Sequence, residues 1–432
     1  MHSADSGCAR GTLQTIRAAA EMKTVSNRYR LASMNLLKPA LALLLCCATS
    51  SAAATGLATQ QQTLTVAGET WTLTVPQGLQ LELLTDRLDT PRLMTFLPNR
   101  DLIIGSRSGK VYRLAPPYSR PEVLVTLDDY PHSVAYRSGE LLIAQTDGLY
   151  RAPCQPGQQR IARDAVELYA ALPGGGGHNS RTVAIGPDNR IYTSLGISGN
   201  CPNEYLDASY RFDDRRGGVL VLDESDGQPR WESFASGLRN PVGLDWHPLT
   251  HVLYASNNGP DHLGYEQPPE YFARLLPGSF HGMPWFQYDG TQLHRDRCIS
   301  STPPRPRADV SPPVATFPAR NAPMGVAFVP AGALDARFSN NAIVALKGSW
   351  GTRPSGTMFG SKATRRPPRV MMVQFEDGTA TGVLDIISGF QRPDGTRLAR
   401  PTGVTIGPDG ALYFTSDAHT RGLFRLRMEQ LP

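Results

Sequence analysis

Five short segments carry the residues best suited to chemistry. In Gly174-Gly-Gly-Gly-His178-Asn-Ser-Arg181, four glycines free the backbone to turn or to approach a ligand closely, and they lead into one imidazole. Imidazole titrates near working pH, so His178 is the candidate for taking a proton from a substrate hydroxyl; an exposed loop histidine is the competing reading. The run is not a phosphate loop, because no Gly-Lys-Ser/Thr follows it. In Gly237-Leu-Arg239-Asn240-Pro-Val-Gly243 a planar guanidinium sits beside an amide, a pair suited to a carboxylate. Downstream, Ser256-Asn-Asn-Gly259-Pro260-Asp261 offers backbone carbonyls at a Gly-Pro turn. With Asp261 or Glu270 these are the hard oxygen donors that calcium prefers, although Asn-Pro and Gly-Pro taken singly are ordinary turns. Leu346-Lys347-Gly-Ser-Trp350 and Arg400-Pro-Thr-Gly403 add two more cations beside strands.

The elements that must position these residues repeat. Thr182-Val-Ala-Ile-Gly-Pro-Asp-Asn-Arg-Ile-Tyr-Thr-Ser194 and Gly403-Val-Thr-Ile-Gly-Pro-Asp-Gly-Ala-Leu-Tyr-Phe-Thr-Ser-Asp417 share one pattern: an apolar strand, a turn, and a second strand. Weaker copies at Leu93–Ile104, Val134–Ala144, Val242–Ser256 and Val326–Leu346 bring the number to six. A small antiparallel sheet cannot bury both faces alone, so six repeats predict an all-β fold, a six-bladed β-propeller closed around a channel. A β-sandwich or two separate β domains is the alternative, and it is disfavoured because no linker-like break interrupts the repeats. Inserts at about 196–217, 259–320 and 351–369 predict long loops over one end of the channel, where function concentrates. Arg239, Lys347 and Arg400 flank strands of separate blades, so a propeller points them at one channel, and convergent cations there imply a polyanionic ligand.

Composition agrees with a large β protein: 432 residues hold 41 Gly and 36 Pro, with 40% apolar and 19% charged residues. The net charge of +5 is concentrated at the start. Residues 1–54 hold six Lys/Arg and two Asp/Glu, leaving 37 against 36 downstream, without the clustered basic excess that nucleic acid requires. Lys38, the apolar stretch Pro39–Cys47 and Ala52-Ala53-Ala54 read as a signal peptide over 34–54 that starts at Met34, preceded by an upstream extension over 1–33. The stretch is too short for a stable membrane span. A periplasmic or secreted protein follows, with an N-terminal segment over 55–78 and the propeller over 79–432. Of the cysteines left, Cys201 and Cys298 both lie in long inserts and are the favoured disulfide, leaving Cys154 free.

On the Gly-rich run into His178, the strand with Gly-Pro-Asp, Arg239-Asn240-Pro, Gly259-Pro260 and Leu346-Lys347-Gly348, the chain resembles the soluble glucose and sorbosone dehydrogenase family of quinoproteins from about Leu79 onward. The resemblance implies pyrroloquinoline quinone (PQQ) and Ca2+ as cofactors, a sugar substrate, and an external electron acceptor, a quinone or cytochrome. It implies His178 as catalytic base; Arg239, Asn240, Lys347, Arg400 and His132 as quinone-holding residues; and Gly259 and Pro260 as backbone calcium ligands. Gly177, Thr402 and His132 depart from the glucose-oxidising branch, which puts glucose itself in doubt. In His281-Gly-Met-Pro-Trp285, Trp285, with Tyr288, is placed either to stack on a sugar or quinone or to pack in a core. Two other function classes stay open: a calcium-dependent lactonase using residues such as Asp245 and Asn257, and a non-catalytic propeller binding a glycan or protein.

Overall fold

The computed structural model describes residues 56–429, so the proposed extension over 1–33 and leader over 34–54 lie outside the described residues. Each sequence repeat is the inner hairpin of one antiparallel sheet, and six such sheets form a six-bladed β-propeller. The inner strands Pro91–Phe96, Ser133–Arg137, Val183–Ile185, Pro241–Trp246, Pro323–Phe328 and Ala399–Ile406 follow one another around a single channel. The next strands outward include Leu102–Ser106, Ile191–Leu195, Leu253–Asn257 and Ala342–Leu346, buried along their whole length. Neighbouring blades cover both of their faces, so even the polar Thr193, Ser194, Ser256 and Asn257 in these strands are buried.

The two clearest repeats fold alike down to individual bonds. Asp188 accepts from the Arg190 amide at 3.1 Å and from the Tyr192 hydroxyl at 2.8 Å. Asp409 accepts from the Ala411 amide at 3.2 Å and from the Tyr413 hydroxyl at 2.8 Å. The Gly-Pro-Asp sequence is therefore a turn device: its aspartate ties the turn to the strand that follows.

The ring closes by joining distant parts of the chain. Leu79–Thr85 pairs antiparallel with Gly422–Met428, supplying the outer strand of the last blade. Ahead of it, the hairpin Thr59–Val66 and Glu69–Pro76 sets Trp71, Leu73 and Val75 into one core with Ile386, Phe390 and Leu398.

The three inserts all sit at the end of the channel where the inner strands begin. The insert of the fourth blade carries its own hairpin, Phe286–Tyr288 with Leu293–Arg295. Cys201 and Cys298 are bonded, with Cα atoms 5.9 Å apart, and so fasten the third blade's insert to the fourth's, while Cys154 is buried and free. Trp285 is fully buried among Tyr205, Phe280 and Phe286, and its indole N–H donates to Ser301 Oγ at 3.0 Å. Of the two roles open to it, packing is the one it takes: it is the core of an insert too large to fold without one. No helix among the described residues is long and apolar enough to cross a membrane.

Leu81 lies wholly buried in the closing strand. Leu81→Ala is expected to lower stability by about 2–5 kcal/mol, as a cavity at the seam of the ring. Gln61→Ala, at an exposed position of the hairpin, should stay within about 0.5 kcal/mol; urea unfolding of the two variants checks both.

Candidate functional site

His132, His178, Arg239, Asn240, Gly259, Pro260, Lys347 and Arg400 lie where inner strands begin or where their partner strands end, which is one mouth of the channel. His178 is held from below. Arg181, fully buried, donates to the His178 carbonyl at 2.6 Å and to the Pro173 carbonyl at 3.0 Å. Arg216 donates to the Gly174 and Gly175 carbonyls. The Gly177 amide donates to the Ser198 carbonyl at 2.7 Å, and a Cβ at Gly177 would lie 2.7 Å from that same oxygen. This is why a glycine precedes the histidine.

The His178 ring bonds the Ile197 carbonyl through Nδ1. A carbonyl only accepts, so Nδ1 carries the proton and Nε2 keeps its lone pair. Burial, and next the charge of Arg239, push the His178 pKa down to about 4, so the ring is neutral at neutral pH. His178 and Asn240 meet across Gly196, where a methyl group would come 2.8 Å from the His178 Cβ and 2.7 Å from Asn240 Oδ1.

The cations fall into two groups. Arg239 donates to Asn200 Oδ1 at 2.8 Å and to Asp261 at 3.1 Å, and Arg320 pairs with the other oxygen of Asp261 at 2.7 Å. Across the channel, Lys347 and Arg92 both bond Asp417, at 2.6 Å and 3.0 Å. Arg400 donates to the Lys347 and Gly348 carbonyls at 3.0 Å. Burial would raise the Asp417 pKa, but Arg92 and Lys347 outweigh it and hold it at about 2. Lys347 is driven the other way. Burial first, and then Arg92, lower its pKa to about 7 against the pull of Asp417. Three cations face one carboxylate, and the surplus is relieved at the lysine.

The rest of the mouth is short of partners. His132 is fully buried, with Nδ1 2.8 Å from the Tyr130 hydroxyl, and burial followed by Arg92 holds its pKa well below the usual range. His132 Nε2, Arg92 Nε, Asn240 Oδ1, Asn257 Nδ2, both side-chain polar atoms of Asn321 and Asp417 Oδ1 are buried without a hydrogen bond. Buried polar atoms are rarely left so, and their concentration at one mouth marks a place for a polar ligand. On the Arg239 side, the carbonyls of Gly259 and Pro260 accept no hydrogen bond among the described residues. Glu270 lies buried beside them, taking the Gly259 amide, with a pKa raised by burial to about 7. Two free carbonyls beside a buried carboxylate suit a divalent cation.

Arg92, Asp417, Asn200, Arg320, Asn321 and Tyr130 were not singled out from sequence. Asp417 had a signal, since it lies near the end of the second strand of the sixth repeat, much as Asn257 and Lys347 end or follow theirs. Asp245 and Asn257 do not converge. Asp245 pairs with Tyr254 and Asn257 with Pro241, three residues apart along the outer strand and four along the bulged inner one, or about 10–13 Å. Asp245 instead lines the far end of the channel, a cavity of about 430 Å³ formed by all six inner strands.

Fold and site together define a six-bladed propeller with a polar, charge-rich mouth at one end of its channel. The profile of the Glucose / Sorbosone dehydrogenase family matches residues 143–350, which run from the second blade into the fifth and include His178, Arg239, Asn240 and Lys347. An uncharacterized protein of Borreliella burgdorferi is 24% identical over 383 residues, covering 85% of this chain and 94% of that one. Among solved structures, the PQQ domain of pyranose dehydrogenase from Coprinopsis cinerea in its holo form has a TM-score of 0.62 at 18% identity, covering 83% of this chain and 97% of that one. The calcium structure of a Trichoderma reesei carbohydrate-active enzyme of family AA12 has a TM-score of 0.68 at 16% identity, covering 87% and 98%. The soluble aldose sugar dehydrogenase of Escherichia coli has a TM-score of 0.60 at 16% identity, covering 81% and 100%. These structures share the fold.

Gly196→Ala should displace His178 and Asn240 together, because the added methyl meets both. For the reaction proposed below, the expected result is a fall in turnover of at least about tenfold, since small misplacements of a proton acceptor are costly. Steady-state kinetics beside a thermal melt will separate this from unfolding.

Proposed function

We propose that the chain binds PQQ and Ca2+ at this mouth and oxidises an aldose or a related sugar alcohol or aldehyde, with His178 as general base, passing electrons to an external quinone or cytochrome. The observation that carries the proposal is the convergence of surplus positive charge and unpartnered buried polar atoms around one neutral imidazole. PQQ is a planar tricarboxylate, and the donor set fits it. Arg92, Lys347 and Arg400 supply charge for carboxylates, while Arg239, Asn240 and His132 supply neutral and charged edges around them. The Gly259 and Pro260 carbonyls, with Glu270, would hold the calcium. What the bound pair contributes is two-electron oxidation of a C–OH group, with a Lewis acid on the accepting carbonyl.

The chain's own part is positional and acid–base. His178 Nε2 takes the substrate hydroxyl proton, and the Ile197 carbonyl keeps the ring in the tautomer that leaves Nε2 free. Arg181 and Arg216 hold the glycine loop so that the imidazole does not swing to solvent. The inserts wall the mouth, limiting water around these charges and strengthening their fields. Gly177 and Thr402 give this mouth a different set of polar groups from the glucose-oxidising branch, which favours a sugar other than glucose. The Cys201–Cys298 disulfide supports an oxidising compartment, periplasmic or extracellular.

Protein mixed with calcium and micromolar PQQ is expected to give a shifted quinone absorbance and to reduce an artificial dye when members of an aldose panel are added. His178→Ala should keep the shift and lose about 10²–10⁴-fold in kcat. Because protonation removes the base, kcat/KM should hold its value as pH falls past 6 and decline only toward the His178 pKa of about 4. No absorbance shift at micromolar PQQ rejects the proposal.

A further inference from the structure

Beside the channel mouth, a second cluster joins two of the inserts. Cys201, His262, Asp296 and Cys298 each bring a donor atom within 4.8 Å of the other three. His262 Nδ1 lies 3.7 Å from Cys201 Sγ, and its Nε2 lies 3.0 Å from Asp296 Oδ2. Asp296 is buried, and its other oxygen takes the Cys298 amide at 2.9 Å. A cavity of about 540 Å³ opens beside the cluster, bordered by His262, Gln287, Asp296 and Cys298.

The spacing is that of a tetrahedral metal site with one bond in the way. Zinc–sulfur and zinc–nitrogen bonds of about 2.3 and 2.1 Å place the two ligand atoms about 3.6 Å apart, close to the Cys201–His262 separation. A carboxylate on the far nitrogen of the ring is how metal-bound histidines are oriented, and Asp296 holds that place. Two zinc-bound thiolates sit about 3.8 Å apart, so once the S–S bond opens the sulfurs need to separate by less than about 2 Å. Asp296 is committed to His262 and to the Cys298 amide, so the fourth position falls to water from the cavity.

We propose that Cys201, Cys298 and His262 form a zinc site in the reduced protein, with Asp296 positioning the histidine, and that this site and the disulfide are mutually exclusive. A dithiol reductant supplies two electrons and two protons to the S–S bond and is itself oxidised to a disulfide. Zinc then displaces the two thiol protons to solvent. Either state ties residue 201 to residue 298. Either therefore keeps the adjacent Asn200 against Arg239 and the Asp261 amide, to which it accepts at 2.8 and 3.1 Å. The site owes nothing to the quinone reading and stands or falls separately.

The test uses the full chain, reduced with a dithiol, freed of reductant without air, and titrated with Co(II) and then with Zn(II). One cobalt per chain is expected, with thiolate-to-cobalt charge-transfer absorption and tetrahedral d–d bands that zinc abolishes. The oxidised chain should show neither. His262→Gln and Asp296→Asn should each weaken binding about 10–100-fold, and Cys298→Ser should lose the two-thiolate spectrum. The proposal is overturned if the reduced chain gives no charge-transfer band, if His262→Gln binds as tightly as the parent, or if far-UV circular dichroism shows that the reduced chain no longer folds with zinc present.

Discussion

The antiparallel pairing of Leu79–Thr85 with Gly422–Met428 is the contact on which the channel mouth depends. An open row of sheets has two exposed edges and no fixed centre, whereas a closed ring fixes the tilt and spacing of every inner strand. Because consecutive inner strands enter from the same end, the residue just ahead of each is delivered to one circle. Arg92, His132, Asn240, Asn321 and Arg400 lie within two residues of such strand starts, one from each of five blades, and the glycine loop brings His178 in from the remaining one. The inserts extend from the same end. Rigidity comes from the blades and chemical variety from what is attached to them.

Electrostatics at that circle are unbalanced by construction. A buried cation without a counter-ion is expensive, and the protein reduces the expense in two ways. Asp417 and Asp261 each bridge two cations, and the Lys347 pKa drops so that its proton is partly released near neutrality. Burial, aided by the same positive charge, keeps His178 and His132 neutral. An anionic ligand would complete what the protein leaves incomplete, and it would do so beside an imidazole already in its basic form. Stability of the empty protein and affinity for an anion are thus opposed, as is common where a site is built ahead of its ligand.

The fold was legible because its signal is local. Strand, turn and strand lie within about a dozen residues, and the Asp188 and Asp409 turns show that near-identical sequence gives identical bonding. Site residues that flank strands, such as Arg239 and Lys347, were legible for the same reason. The partners that set their charge were not. Asp417 is 70 residues from Lys347 along the chain, which packing of the fifth blade on the sixth brings near, and comes still further from Arg92, which only ring closure brings near. Asn200 reaches Arg239 only through the fold of an insert, and Trp285 was ambiguous because a buried indole and a stacking one look the same in sequence. Inserts carry few repeats to register against, so their interiors are where reading from sequence stops.

The charge imbalance at Lys347 offers the most direct test. If a polyanionic quinone binds among Arg92, Lys347 and Arg400, it must restore the lysine's proton, because an anion favours the charged form. Calorimetric titration of PQQ into the calcium-loaded protein at pH 8, in buffers of unequal ionisation enthalpy, reads that proton directly. The lysine pKa of about 7 predicts uptake of most of one proton per PQQ bound, affinity that falls as pH rises from 7 to 9, and loss of the uptake in Lys347→Met. Binding without proton uptake, or binding equally tight in Lys347→Met, would contradict the account.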